Sequence, residues 1–216
     1  MTDALISHVP ATASNRRLAA LFAADMKLGI QLQAEVGSWI AHLGSSASKP
    51  GTPAYTTAYR TGNLIASRLR RAGGTGGSTG TMEAFNRGVI EAGGTSVGIY
   101  LDGLPTEQYR NPYCTHGITC KTLLARQHLL LSGASGVVVG SEGGWGTIFE
   151  IGHQLIDIRR NSFDPSCPIV IIDESDLWQG FQKWMDEQLV GRKLWSGTEY
   201  KKLLFVRSAE EAVDCL

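Results

Sequence analysis

Val137-Val138-Val139-Gly140-Ser141-Glu142-Gly143-Gly144-Trp145-Gly146-Thr147-Ile148-Phe149-Glu150 is the stretch on which the fold of this chain turns. Three β-branched residues predict a buried strand from Gly136 to Val139. The glycines that follow let backbone N–H groups approach a ligand closely, and the next helix, expected over Ile148 to Arg159, points its positive end at the same place. Such a junction suits a phosphate. Glu150 lies three residues past Thr147, near one helical turn, so its carboxylate can face the same pocket. Taken alone, the loop reads equally well as a tight strand-to-helix turn with no ligand.

Two further junctions have the same character. Trp39-Ile40-Ala41-His42 runs into Leu43-Gly44-Ser45-Ser46, and Thr75-Gly76-Gly77-Ser78-Thr79-Gly80-Thr81 precedes a helix over Met82 to Ala92. Ser78 or Thr79 is the expected cap of that helix, and Gly93-Gly94 its left-handed stop. Strand-to-loop junctions repeated in this way are what a parallel sheet presents when its ligand crevice lies at the strand C-termini. The remaining pattern alternates: a helix over Ala54 to Arg71, a strand over Ser96 to Leu101, a helix over Lys121 to Leu131, a strand over Ile169 to Ile172, a helix over Leu177 to Val190 and a short strand over Leu203 to Arg207. The fold class expected is α/β, a Rossmann-like doubly wound parallel sheet in three α/β/α layers. Residues 1–37 form a helical extension, with one or two amphipathic helices over Ala13 to Val36, and 38–216 the nucleotide-binding domain. The pattern falters at Leu69-Arg70-Arg71-Ala72-Gly73-Gly74, where a strand is due but arginine and glycine are poor occupants of one buried on both faces.

The motifs, in order, are Gly44-Ser45-Ser46, Pro53-Ala54-Tyr55, Gly76-Gly77-Ser78-Thr79-Gly80-Thr81-Met82-Glu83-Ala84-Phe85-Asn86-Arg87-Gly88, Leu104-Pro105-Thr106-Glu107-Gln108, Asn111-Pro112-Tyr113, Arg126 and Gly143 to Glu150. This series resembles the LOG ("Lonely Guy") family, Rossmann-like proteins long misnamed lysine decarboxylases. The resemblance runs from about Ser38 to the C-terminus, where Trp178 and Ser208-Ala209-Glu210-Glu211-Ala212 also fit. It implies hydrolysis of the N-glycosidic bond of a nucleoside 5′-monophosphate, of the AMP or cytokinin riboside monophosphate type, to free base and ribose 5-phosphate. The alternative is a nucleotide- or molybdenum-cofactor-binding carrier on the same scaffold that cuts no bond.

The resemblance makes Glu150 and Arg126 the catalytic pair. Charge builds on the ribose as the base departs, and a carboxylate beside the sugar both opposes it and activates water. The guanidinium of Arg126 holds a phosphate or stabilises the leaving base. By position alone, Glu150 equally suits a helix first turn and Arg126 a solvated helix face. Substrate contacts are expected from Gly44, Ser45, Gly76, Gly77, Ser78, Thr79, Gly80, Glu107, Gln127, Gly143, Gly144, Trp145, Gly146 and Thr147. Glu107 would meet ribose hydroxyls, the glycine loops would cradle phosphate from two sides, and Trp145 would stack on a base or on a partner subunit. Met82 and Asn86 are placed to approach the base or the dimer partner, and for Met82 core packing is the favoured alternative. Three positions depart from the family pattern: Glu142 stands for a proline, Gln127 for a lysine and His153 for an acidic residue.

Composition agrees. The chain has 216 residues, 43% of them hydrophobic, enough for one core. Its 20 basic and 20 acidic side chains leave no net charge to favour nucleic acid or an anionic membrane. No apolar run nears the roughly 20 residues that span a bilayer, and the N-terminus lacks a signal-peptide layout, so a cytoplasmic protein is expected. Cys114, Cys120, Cys167 and Cys215 form no disulfide framework, and Cys114-x-His116 with Cys120 is not a standard zinc spacing. No metal and no cofactor are expected. A homodimer is implied by the resemblance, with the site near the interface.

Overall fold

A computed structural model describes residues 13–103, 110–159, 166–195 and 203–216. Its centre is a seven-stranded sheet, β1 (Trp39–Leu43), β2 (Ala72–Thr75), β3 (Ser96–Leu101), β4 (His116–Cys120), β5 (Ala134–Val139), β6 (Ile169–Ile172) and β7 (Leu203–Val206), in the order β4-β3-β2-β1-β5-β6-β7. Every pairing is parallel. The helices are α1 (Ala13–Val36), α2 (Pro53–Leu64), α3 (Thr81–Glu91), α4 (Leu123–Ser132), α5 (Trp145–Arg159), α6 (Gln179–Trp184) and α7 (Ala209–Asp214). Short π-helical turns, Ile65–Leu69 and Met185–Val190, extend α2 and α6. The doubly wound α/β class read from the sequence is the one observed.

Alternation along the buried strands divides the core in two. Trp39, Ala41, Leu43, Val137 and Val139 face one way, onto Leu130 and Leu131 of α4 and Ile151 of α5. Ile40, Val138, Val170 and Ile172 face the other, onto Phe85 and Val89 of α3, Ile65 and Val213 of α7. These are the three layers. The long α1 is a single helix that places Leu32, Met26 and Val36 against the first cluster. Among the described residues no helix is long and apolar enough to cross a membrane.

The faltering segment is a true strand, and its neighbours explain its composition. A Cβ at Gly73 would come within 2.6 Å of Val89 and 2.7 Å of Phe85, and one at Gly74 within 2.5 Å of the Trp39 ring. The space that β-branched side chains would fill is occupied by aromatic rings from β1 and α3. The sequence reading missed β4 altogether. It is an edge strand, His-Gly-Ile-Thr-Cys, whose apolar content is too small for a periodicity signal and which α1 packs against. Several boundaries also shift by one to three residues. Helix α5 starts at Trp145 rather than Ile148, and α4 covers Leu123–Ser132 rather than Lys121 to Leu131.

Strand order reverses beside β1, which has β2 on one side and β5 on the other. The crevice at such a point opens beyond the carboxyl ends of the strands. Leu43 and Val139, the last residues of β1 and β5, are register partners, and the loops beyond them are tied by Gly140 N–H to Leu43 O at 2.8 Å and Ser45 N–H to Glu142 O at 3.0 Å.

Candidate active site

A hollow of about 290 Å³ opens at this point, lined by Gly44, Ser45, Ser46, Met82, Arg126, Gly144, Gly146, Thr147 and Glu150. Four segments build it: the loop after β1, the start of α3, the middle of α4 and the first two turns of α5. The first-turn N–H groups of α5 have no acceptor within their own helix, so this wall carries partial positive charge.

Arg126 and Glu150 both line the hollow and are in direct contact. Nη1 of Arg126 donates to Oε1 of Glu150 at 2.7 Å, and each side chain is only 12% exposed. Nε of Arg126 also donates to the carbonyl of Ile99 at 3.1 Å, which fixes the guanidinium against β3. Gly76 makes room for it: a Cβ there would sit 1.5 Å from Nη2, an impossible approach. The pair is screened from bulk water, so its charge acts at higher strength than a surface salt bridge would.

The glycines of the α5 loop differ among themselves. Gly143 packs on Thr147, where a Cβ would lie 2.8 Å away, whereas a Cβ at Gly144 or Gly146 would meet no protein atom within 4 Å. Neither Gly144 nor Gly146 has a positive φ. Backbone conformation and internal packing therefore leave both positions free to carry a side chain, and that side chain would stand in the hollow or at its rim. Glycine here keeps the backbone open to a ligand.

The structure gathers Gly44, Ser45, Arg126, Gly144, Gly146, Thr147 and Glu150 on one hollow, together with Ser46 and Met82. Ser46 completes the Gly-Ser-Ser motif, so its signal was present in the sequence. Met82, favoured in the sequence as core packing with approach to the base as the other reading, lines the hollow from the first turn of α3, which starts at Thr81.

The second glycine loop serves the scaffold rather than the lining. Gly77, with φ 72°, lies against Tyr100, and Gly80, also at φ 72°, caps α3, with Ser45 O where its Cβ would be. The cap is thus Gly80, not Ser78 or Thr79, and Thr79 Oγ1 donates instead to Ser46 O at 2.9 Å. Gly93, with φ 77°, is the expected left-handed stop of α3. Asn86 does not line the hollow. It is fully buried, accepting from Thr75 Oγ1 at 2.6 Å and Asn111 Nδ2 at 2.9 Å and donating to Ser96 Oγ at 2.7 Å.

Gln127 points inward at 1% exposure and does not line the hollow, and Trp145 stands 85% exposed at the start of α5. Glu107 lies outside the described residues. Glu142, where the family pattern has proline, accepts from Ser48 Oγ at 2.6 Å, which holds its carboxylate against the β1 loop. His153 pairs with Asp157 at 2.6 Å on α5. Cys114, Cys120, Cys167 and Cys215 are free thiols, and burial raises the pKa of Cys120 to about 12.

Comparison with known proteins agrees with the fold. A family model described as "possible lysine decarboxylase" matches residues 82–216. No curated protein matches the chain. Among solved structures, the molybdenum cofactor binding protein of Rippkaea orientalis superposes with a TM-score of 0.60 at 21% identity, over 82% of this chain and 93% of its own. The molybdenum cofactor carrier protein of Chlamydomonas reinhardtii gives 0.60 at 18% identity, over 82% and 94%. The structural-genomics target TM1055 gives 0.60 at 24%, over 82% and 96%. At these identities the likeness is one of fold.

Proposed function

The chain belongs to the family described as possible lysine decarboxylases, the LOG family, and on that premise we propose that it hydrolyses the N-glycosidic bond of a nucleoside 5′-monophosphate. The products are the free base and ribose 5-phosphate. The observation that carries the reading is the Arg126–Glu150 pair, 2.7 Å apart, on the same hollow as the open glycines of the α5 N-terminus.

In this reading the phosphate sits on the first-turn amides of α5, beside Thr147 and the Ser45-Ser46 loop. That places the ribose toward Glu150. As the bond from C1′ to the base nitrogen lengthens, positive charge grows on the sugar, and the carboxylate opposite stabilises it. Glu150 then takes a proton from the water that attacks C1′ and, through water, returns it to the departing nitrogen, which leaves as neutral base. Arg126 orients Glu150, and releases part of its bond to the phosphate or the base when substrate enters. Among the described residues no lysine lines the hollow, and decarboxylation of lysine is not the activity proposed.

The subunits are proposed to pair as a homodimer through the face formed by α1 and α4, where Leu18, Leu123 and Leu124 are more than half exposed.

Incubation with separate nucleoside monophosphates, followed by chromatography for released base, tests the reading. Wild-type protein is expected to release base from AMP or a related nucleotide. Glu150→Ala should lower turnover by about 10²-fold or more while leaving the circular dichroism spectrum and nucleotide binding in place. Tight binding of monophosphates with no base released by the wild type would select the carrier alternative.

A further inference from the structure

The helices that supply Arg126 and Glu150 also bring together three groups that the proposed hydrolysis does not use. His128 on α4 and His153 and Asp157 on α5 each offer a donor atom within 4.8 Å of the other two. His153 and Asp157 are four residues apart on one helix face, with Nε2 and Oδ2 separated by 2.6 Å. The His128 and His153 rings lie with centroids 6.1 Å apart. Oδ2 of Asp157 is buried, and its close contact with the imidazole does not have hydrogen-bond geometry. Two nitrogen donors and a carboxylate oxygen thus converge from two helices, partly shielded from water.

We propose that His128, His153 and Asp157 form a binding site for a divalent transition-metal ion of the zinc class. Donor chemistry selects the ion: imidazole nitrogens suit zinc, cobalt and nickel, whereas magnesium and calcium require shells made almost wholly of oxygen. Geometry allows it. Metal-to-donor distances near 2.0–2.1 Å put tetrahedral ligands about 3.3 Å apart, which small rotations of these side chains reach from their present spacing. Three protein ligands leave a fourth position for water or an external group. Because the donors come from both α4 and α5, the ion would tie the two helices to each other. The site stands independently of the glycosidase reading, since none of its ligands lines the hollow.

The test uses untagged full-length protein, stripped with chelator and titrated with zinc chloride in a calorimeter at neutral pH, where the imidazoles bind as neutral ligands. One equivalent per chain is expected, unaffected by excess magnesium, together with a raised melting temperature. His128→Ala, His153→Ala and Asp157→Ala should each weaken binding about tenfold or more. Absence of stoichiometric binding in the wild type overturns the proposal, as does binding that survives these substitutions. Should a variant fail to fold, cobalt substitution of the wild type decides: d–d bands without thiolate charge transfer support nitrogen and oxygen ligation, and a thiolate band moves the metal to the cysteines and overturns the site.

Discussion

His42 lies immediately beneath the loops that form the hollow. Its ring stacks on Phe85 at 4.8 Å, a Cβ at Gly44 would come within 3.3 Å of it, and one at Gly140 within 3.1 Å. Among the described residues neither ring nitrogen has a hydrogen-bond partner. Burial lowers its pKa from 6.5 to about 3, so the folded protein holds it neutral. The unfolded chain binds the proton first as pH falls below about 6.5. The contribution to stability is therefore complete above that value and is lost progressively on acidification toward the folded pKa, with a slope approaching about 1.4 kcal/mol per pH unit. The urea midpoint should fall between about pH 7 and about pH 5.5, and fall less in His42→Leu. Equal slopes in the two proteins would assign the proton uptake to another group. Residues of this kind mark the limit of what the sequence discloses. Arg126, Glu150 and the Gly-Thr of the α5 loop are legible because their spacing belongs to one local junction or to a family motif. A histidine in the middle of an apolar strand carries no sign of whether it is paired, and Gln127 none of which way its helix faces.

At the scale of elements, α4 is held from outside. Asp25 of α1 is 2% exposed, and its carboxylate accepts from Lys121 N–H at 2.9 and 3.0 Å, from Thr122 N–H at 2.9 Å and from Thr122 Oγ1 at 2.8 Å. The Thr122 hydroxyl accepts no capping bond from the N–H groups of α4 and donates to Asp25 instead, so the negative charge at the positive end of α4 comes from a different helix. Helix α1 thereby positions the element that carries Arg126. Asp25→Ala should cost about 2–3 kcal/mol in urea denaturation, because it strands buried donors, and should lower base release by loosening α4. A variant with unaltered stability would show that the cap is dispensable. Capping rules search the few residues before a helix, and for that reason the sequence did not betray this one. Strands rich in β-branched residues, by contrast, follow from composition: Ser96 to Leu101 and Ile169 to Ile172 are the observed β3 and β6 to the residue.

For the whole molecule, the exposed apolar face bears on assembly. Leu18, Phe22, Leu123 and Leu124 border one groove between α1 and the start of α4. Light scattering after gel filtration should give twice the chain mass for the wild type, and Leu124→Glu should shift it toward the single-chain value. A wild-type monomer at micromolar concentration would rule the dimer out. The overall architecture was legible because doubly wound folds repeat one local unit, whereas the odd composition of β2 made sense only with Trp39 in place. That indole occupies the space of more than one neighbour. It excludes a Cβ at Gly74 and at Gly133, at 2.5 and 2.2 Å, and its Nε1 donates to Leu130 O at 2.9 Å. Positions 39, 74 and 133 are consequently locked as a set: enlarging either glycine collides with the ring, and shrinking the ring leaves a void. Any lineage moving between this arrangement and a valine-lined strand must therefore cross a less stable intermediate or change two positions at once, and a Trp39→Val, Gly74→Val pair should recover part of what each loses singly.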